Sequence, residues 1–331
     1  MKKIVIFNTS YGTLNLGDFI INESVEIELA PLLSHNNPFF IELPTHTPVT
    51  HCYQNIKKNK IVCECDNAKY KFLAGTNILS ANMLRPWPNW NVNIFNSRPY
   101  KGVILVGAGM NGTRKKPNLY TKILLKKILS KDFIHSVRDE RTKIFLESLG
   151  YKAINTGCAT LWSLDDKKCS EIPTVKSKDV VFTLTDYCKD EKRDVELIKI
   201  LEANYETLYF WTQGSEDYDY LKSLNVDTRK VKILTTLEDF RKTLKQKNLD
   251  YVGTRLHAGI YAMQHAKRSI IISIDNRTRD MKKNYNLVSL EREEIKCLNN
   301  LINSEFKTDI KVNADRIEKW KKQFQGDNDE K

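Results

Sequence analysis

Four short stretches hold the candidate residues for ligand binding or catalysis. Gly253-Thr254-Arg255-Leu256-His257-Ala258-Gly259 sets an arginine and a histidine two positions apart, at the start of a helix bearing Leu256, Ile260 and Met263. A helix N-terminus attracts anions, a guanidinium grips phosphate or carboxylate at two points, and a histidine titrates near neutrality. On a regular helix these two residues would not share a face, so they converge only if Arg255 still lies in the turn that Gly253 opens. His135-Ser136-Val137-Arg138-Asp139-Glu140 places a second arginine where a strand gives way to a helix, and an ion pair with Asp139 or Glu140 is its plainer use. Asn15-Leu16-Gly17-Asp18 opens the first helix, where Asn15 or Asp18 can cap amides or face a substrate. Gly107-Ala108-Gly109-Met110-Asn111-Gly112 is a literal dinucleotide fingerprint after a strand. Thr113 to Pro117 separate it from the next helix, and no acid ends the next strand before Asp139, so a tight loop is expected rather than a nicotinamide or flavin site.

The elements that must position these stretches are short β-rich runs alternating with helices, the pattern of a parallel α/β sheet. One series predicts strands at Lys3 to Asn8, Lys71 to Leu73, Val103 to Val106 and Ile134 to Val137, with helices at Asp18 to Leu29, Leu119 to Leu129 and Glu140 to Leu149. A second predicts strands at Val180 to Leu184, Leu208 to Trp211, Val231 to Leu234, Leu249 to Val252 and Ile270 to Ile274. Polar Ser163 to Lys178, with Pro173, is expected as a linker. The expected layout is a Rossmann-like domain over residues 1–165, a second over 179–312, and a C-terminal helix within 313–331 that packs back on the first through Ile317, Trp320 and Phe324.

At 331 residues, 41% hydrophobic and 28% charged, the chain is an ordinary globular one of about two domains. No run approaches a membrane span, and Ile4 to Phe7 is too short for a signal sequence, so a cytoplasmic location is expected. The formal net charge of +12 is compatible with nucleic acid, an anionic membrane or small anions; no nucleic-acid motif interleaves the cations with aromatics. The seven cysteines are expected as thiols. His46, His51, Cys52, Cys63 and Cys65 are zinc-type residues, but Cys-x-Cys is not a knuckle, and a β-hairpin without metal is expected there.

In their order, Asn15-Leu16-Gly17-Asp18, Val106-Gly107-Ala108-Gly109, Ser136-Val137-Arg138-Asp139-Glu140 and Arg255-Leu256-His257 resemble the polysaccharide pyruvyl transferase family. Where that family commonly has Asp-Pro, this chain reads Asn155-Thr156-Gly157-Cys158-Ala159-Thr160. The resemblance implies a GT-B-like α/β fold, two Rossmann-like domains facing a cleft. It implies transfer of a pyruvate ketal (carboxyethylidene) group from phosphoenolpyruvate, as co-substrate and without a further cofactor or metal, to sugar hydroxyls. The acceptor would be a cell-surface polysaccharide, capsular or exopolysaccharide, or its lipid-linked or nucleotide-linked precursor. A peripheral place at the inner leaflet of the membrane would suit the charge.

By the same resemblance Arg255, the Leu256 backbone and His257 hold the donor, with Arg138 a further anion ligand. His257 would be the acid and Asp18 would orient or deprotonate the acceptor, on a side that includes Asn15, Gly17, Gly107 and Gly109. Trp87 and Trp90 are candidates for sugar stacking. Two other readings fit the same residues: a GT-B glycosyltransferase using a nucleotide sugar, and a sugar-binding protein without catalysis.

Overall fold

Apolar runs such as Ile4-Val5-Ile6-Phe7 and Ile270-Ile271-Ile272 are buried on both faces, as strands of parallel sheets covered by helices must be. The computed structural model describes residues 2–33, 38–56, 59–84, 89–112 and 116–325. They form two units, one of Met1–Thr13, Ile21–Trp162 and Asn313–Lys331, the other of Leu14–Ile20 and Ser163–Val312.

The first unit contains strands β1 (Lys3–Asn8), β2 (Phe39–Pro44), β3 (Tyr70–Ala74), β4 (Leu79–Ser80), β5 (Ile104–Val106), β6 (Met110–Asn111), β7 (His135–Val137) and β8 (Ala153–Asn155). Its main sheet runs β2-β1-β3-β5, all parallel, and β7 pairs with β8. The break between β5 and β7 is bridged by one parallel pair, Ala108 with Val137, and by a side chain. The Leu105 amide donates to His135 Nδ1 at 3.2 Å, and His135 Nε2, 2.8 Å from the Ser130 carbonyl, must be the protonated nitrogen. Burial pushes this imidazole down to about 4, so it is neutral.

The helices are α1 (Gly17–Leu33), which starts in the second unit and continues in the first, α2 (Lys60–Asp66), α3 (Leu119–Ile128) and α4 (Glu140–Glu147). Asn118 caps α3 by accepting from Thr121 N at 2.8 Å, and Leu124, Leu125 and Ile128 form its buried stripe.

The second unit contains β9 (Asp179–Thr183), β10 (Thr207–Trp211), β11 (Val231–Leu234), β12 (Leu249–Gly253), β13 (Ser269–Ser273) and β14 (Ser289–Glu291). The sheet order is β11-β10-β9-β12-β13-β14, all parallel, so the order reverses between β9 and β12. Its helices are α5 (Asp166–Ser170), α6 (Glu191–Asn204), α7 (Asp217–Ser223), α8 (Leu237–Leu244), α9 (Leu256–Gln264), α10 (Asn276–Tyr285) and α11 (Leu298–Asn303). The chain then returns to the first unit as α12 (Ala314–Lys322). Trp320 Nε1 donates to the Ile134 carbonyl at 2.8 Å, and Phe324 packs edge-on against Tyr70 and Phe72.

Several expectations need correction. The region around Cys52, Cys63 and Cys65 is a short 3-10 turn (Cys52–Asn55) and α2, not a hairpin. All seven cysteines are thiols, and no group of three or more His, Cys, Asp or Glu able to hold a metal occurs among the described residues. The stretch expected as a linker holds α5 and buries Leu164, Cys169 and Ile172. Trp90 is fully buried edge-on against Tyr100, where no sugar can stack on it. Trp87 and Thr113 lie outside the described residues.

Candidate functional site

In open α/β sheets, ligands bind beyond the carboxyl ends of the strands where the strand order reverses. In the second unit that edge carries the loops after β9 and β12. Gly253 allows the two strand ends to meet, since a Cβ there would lie 2.6 Å from Thr183 N. The turn that follows is tied down at several points. Arg255 N donates to Thr183 Oγ1 at 3.2 Å, Tyr251 OH donates to the Arg255 carbonyl at 2.8 Å, and the Thr185 and Thr254 hydroxyls lie 2.7 Å apart.

Arg255 is the N-cap of α9, with extended φ −90° and ψ 105°, so it lies in the turn and His257 in the first helical turn. Both side chains are buried, His257 at 6% exposure. The guanidinium does not stand bare. Its Nε donates to Asp217 Oδ2 at 3.0 Å and to the Leu184 carbonyl at 3.2 Å, and its Nη2 donates to Asp186 Oδ1 at 2.9 Å and to Asp217 Oδ1. Nη1 makes none of these bonds. The Tyr187 ring lies 5.1 Å from the guanidinium carbon.

Asp217 is the hub, and the sequence reading missed it. Besides Arg255 it accepts from the amides of Gly214 at 2.7 Å, Asp186 at 3.0 Å and Gln213 at 3.2 Å. Burial pushes its carboxyl up, while Arg255 and the amides pull it back; five donors converge on it, which favours the carboxylate. Gly214 makes room, because a Cβ there would overlap Arg255 Nη2. The available sequence signal was a glycine three residues before an acid at a helix start.

The same loop holds the Asn15 stretch. Leu16 N donates to the Gln213 carbonyl at 2.8 Å, Ser215 N to the Leu14 carbonyl at 3.1 Å, and Gln213 Nε2 to Asn15 Oδ1 at 2.8 Å. Asn15 Oδ1 also accepts from Gly17 N at 3.1 Å, the capping role. Asn15, Gly17 and Asp18 thus belong to the second unit, whereas the sequence had assigned them to the first. One network therefore links Asn15 through Gln213, Gly214 and Asp217 to Arg255.

Arg138, Gly107 and Gly109 form a separate cluster in the first unit. Gly107, at φ 62°, donates its amide to Ser136 Oγ at 2.8 Å, and Arg138 N donates to the Ala108 carbonyl at 3.0 Å. The Arg138 guanidinium lies against Gly109, where a Cβ would come within 2.7 Å of its Cζ, and it bonds Asn77 Oδ1 through Nη2. Asp139 lies 3.4 Å from Nε but spends its other oxygen capping α4 through Thr142 N at 2.7 Å. The glycine fingerprint leads into β6, not into the helix start that a dinucleotide loop opens, and a guanidinium lies against its second glycine.

The chain matches the model of the polysaccharide pyruvyl transferase family over residues 15–276. It is similar in structure to a Listeria monocytogenes protein assigned as a UDP-N-acetylglucosamine 2-epimerase, with 11% identity over 97% of this chain and 90% of that one and a TM-score of 0.51. It is also similar to S. aureus MnaA bound to UDP, with 12% identity over 92% of this chain and 89% of that one and a TM-score of 0.50. At such identities the likeness is one of fold, and the fold is of the GT-B type. The comparison with curated proteins gave no match. Because the family match takes in all four stretches, from Asn15 to His257, the chain belongs to the polysaccharide pyruvyl transferase family.

Proposed function

We propose that this chain transfers a pyruvate ketal group from phosphoenolpyruvate to sugar hydroxyls of a cell-surface polysaccharide or its lipid- or nucleotide-linked precursor. The family match over residues 15–276 carries the reading. A buried histidine in the first turn of α9, beside the switch point of a parallel sheet, supports it.

The donor carries a carboxylate and a phosphate. The amide end of α9 at Leu256, with Arg255 Nη1, is proposed to hold one of them, while the rest of the Arg255 guanidinium fixes the turn. His257 gives its proton to the methylene carbon, and the central carbon becomes oxocarbenium-like. A sugar hydroxyl attacks that carbon, forms a C–O bond and loses its proton to Asp18. The C–O bond to phosphate then breaks, with the bonding pair leaving on phosphate, which also takes the proton from Asp18, and cationic groups stabilise the remaining charge. Attack by a second hydroxyl closes the ketal, and its proton restores His257. Arg138 is proposed as a further anion ligand, with Asn15, Gly17, Gly107 and Gly109 on the acceptor side. A cytoplasmic location with peripheral attachment at the inner leaflet belongs to the same reading; no described helix is long and apolar enough to cross a membrane.

The test is ligand-dependent thermal stability. Phosphoenolpyruvate at 100 times its dissociation constant should add about 2.7 kcal/mol to the wild type, and His257→Ala should abolish the shift. Stabilisation by UDP, CMP or GDP but not by phosphoenolpyruvate would favour glycosyl transfer instead. Arg255→Ala is the poorer probe, because it strands the buried Asp217 and the half-buried Asp186 whatever the ligand.

A further inference from the structure

Helix α3 turns Thr121, Leu124, Leu125 and Ile128 inward and leaves Leu119, Lys122, Ile123, Lys126 and Lys127 outside. At 3.6 residues per turn these five follow one another over an arc of about 140°, in the order Lys122, Lys126, Leu119, Ile123, Lys127. Two apolar side chains thus form a stripe with lysines on both sides. Residues 116–131 contain five lysines and no acid.

Neighbouring segments extend the stripe. Asn118 Nδ2 donates to Asn82 Oδ1 at 2.9 Å and Met83 N to Thr121 Oγ1 at 2.9 Å, which brings Leu84 to one end of α3. Lys127 Nζ donates to the Ile94 carbonyl at 3.1 Å and Ile94 N to the Tyr120 hydroxyl at 3.4 Å, which brings Phe95 beside the Lys127 flank of the helix. Right-handed crossovers place α3 and α4 on the same face of the sheet, and Tyr151 OH ties the end of α4 to the Leu125 carbonyl at 2.9 Å. Helix α4 presents Ile144 beside a cleft with Met110 and Phe145 in its apolar wall and Lys116 and Arg141 as its cations. Leu84, Phe95, Leu119, Ile123 and Ile144 are between 49% and 75% exposed.

We propose that this face of the first unit docks on an anionic phospholipid surface. The five apolar side chains enter the headgroup boundary, and Lys116, Lys122, Lys126, Lys127 and Arg141 meet lipid phosphates. Lysines flanking an apolar stripe can extend their ammonium groups to headgroups while their stems follow the stripe, whereas the cores of protein interfaces are depleted of lysine. The proposal places the membrane attachment on a particular face and does not need the transferase reading, since vesicle binding and donor binding are measured apart.

The test is co-sedimentation of the full chain with phosphatidylcholine vesicles containing phosphatidylglycerol, against pure phosphatidylcholine. The wild type should partition onto the anionic vesicles, less so as salt rises. Lys122→Gln with Lys126→Gln should weaken partitioning about thirty-fold, and Leu119→Gln with Ile123→Gln at least about ten-fold. Lys192→Gln with Lys199→Gln, exposed on α6 of the other unit, removes the same charge and should change it less than about two-fold. Ile123→Trp should show blue-shifted emission on anionic vesicles, a readout within one folded variant. Absence of wild-type binding, equal loss in the α6 control, or full binding by the apolar variant would overturn the proposal.

Discussion

Arg255 and Arg138 both follow a strand of a parallel sheet and precede a helix, yet they are held differently. Arg255 is buried against two carboxylates, Asp217 and Asp186, and its position depends on charge neutralisation. Arg138 bonds a neutral amide, Asn77, and lies in a slot made by Gly109, with Asp139 at the longer distance of 3.4 Å. The first is part of the frame that shapes a turn; the second is a cation placed by backbone shape. Similar sequence context thus produced a buried ion pair in one unit and a guanidinium held largely by a side-chain amide and a glycine slot in the other.

The largest expected effect separates the two arginines directly. Arg255→Ala should cost about 3–5 kcal/mol of unfolding free energy in urea, because Asp217 is left charged and buried. Arg138→Ala should cost about 1 kcal/mol, as for an ordinary net hydrogen bond. Equal costs would erase the distinction.

Acid should separate the units next. His135 has a folded value of about 4 against 6.5 ordinarily, so its contribution is complete above about pH 6.5 and disappears as pH falls towards 4. The loss is about 3 kcal/mol at 1.36 kcal/mol per pKa unit. Glu26, which burial and Glu42 push up to about 7, works in the opposite direction. The informative quantity is therefore the difference in pH slope between wild type and His135→Phe, and identical slopes would remove His135 from the account.

Alanine at the two slot glycines gives a smaller contrast. Gly214→Ala meets Arg255 Nη2, which is fixed by two carboxylates, and should cost about 2 kcal/mol in thermal unfolding. Gly109→Ala meets a guanidinium that can swing aside and should cost about half as much. Smallest of all, Glu147→Gln removes an exposed partner of Lys143 and should stay within about 0.5 kcal/mol.

Five of the six strands of the second unit were legible because apolar β-branched runs between capped helices carry their own period; Val231–Leu234 was predicted residue for residue. Ser289–Glu291, Phe39–Pro44 and Ala153–Asn155 were not. Phe39–Pro44 leaves Phe39 and Phe40 exposed, and Ala153–Asn155 has only three half-buried residues, too few for an alternation to appear. The turn geometry of Arg255 could be anticipated from Gly253, but its pairing with Asp217 spans 38 positions and depends on the tertiary fold. His135 looked like a strand residue beside a candidate arginine; its role as a substitute for a missing ladder bond depends on where β5 ends.

The path of α12 bears on the order in which the protein can be finished during synthesis. The Ile134 carbonyl waits for an indole donor 186 positions later, and Tyr70 and Phe72 wait still longer for Phe324. Every residue of the second unit has left the ribosome by then, so that unit can close first while the larger part of the first remains an open aromatic surface. A released chain lacking α12 would therefore be a chaperone client with one settled half, and its exposed seam would be the one lined by Tyr70, Phe72 and Phe133.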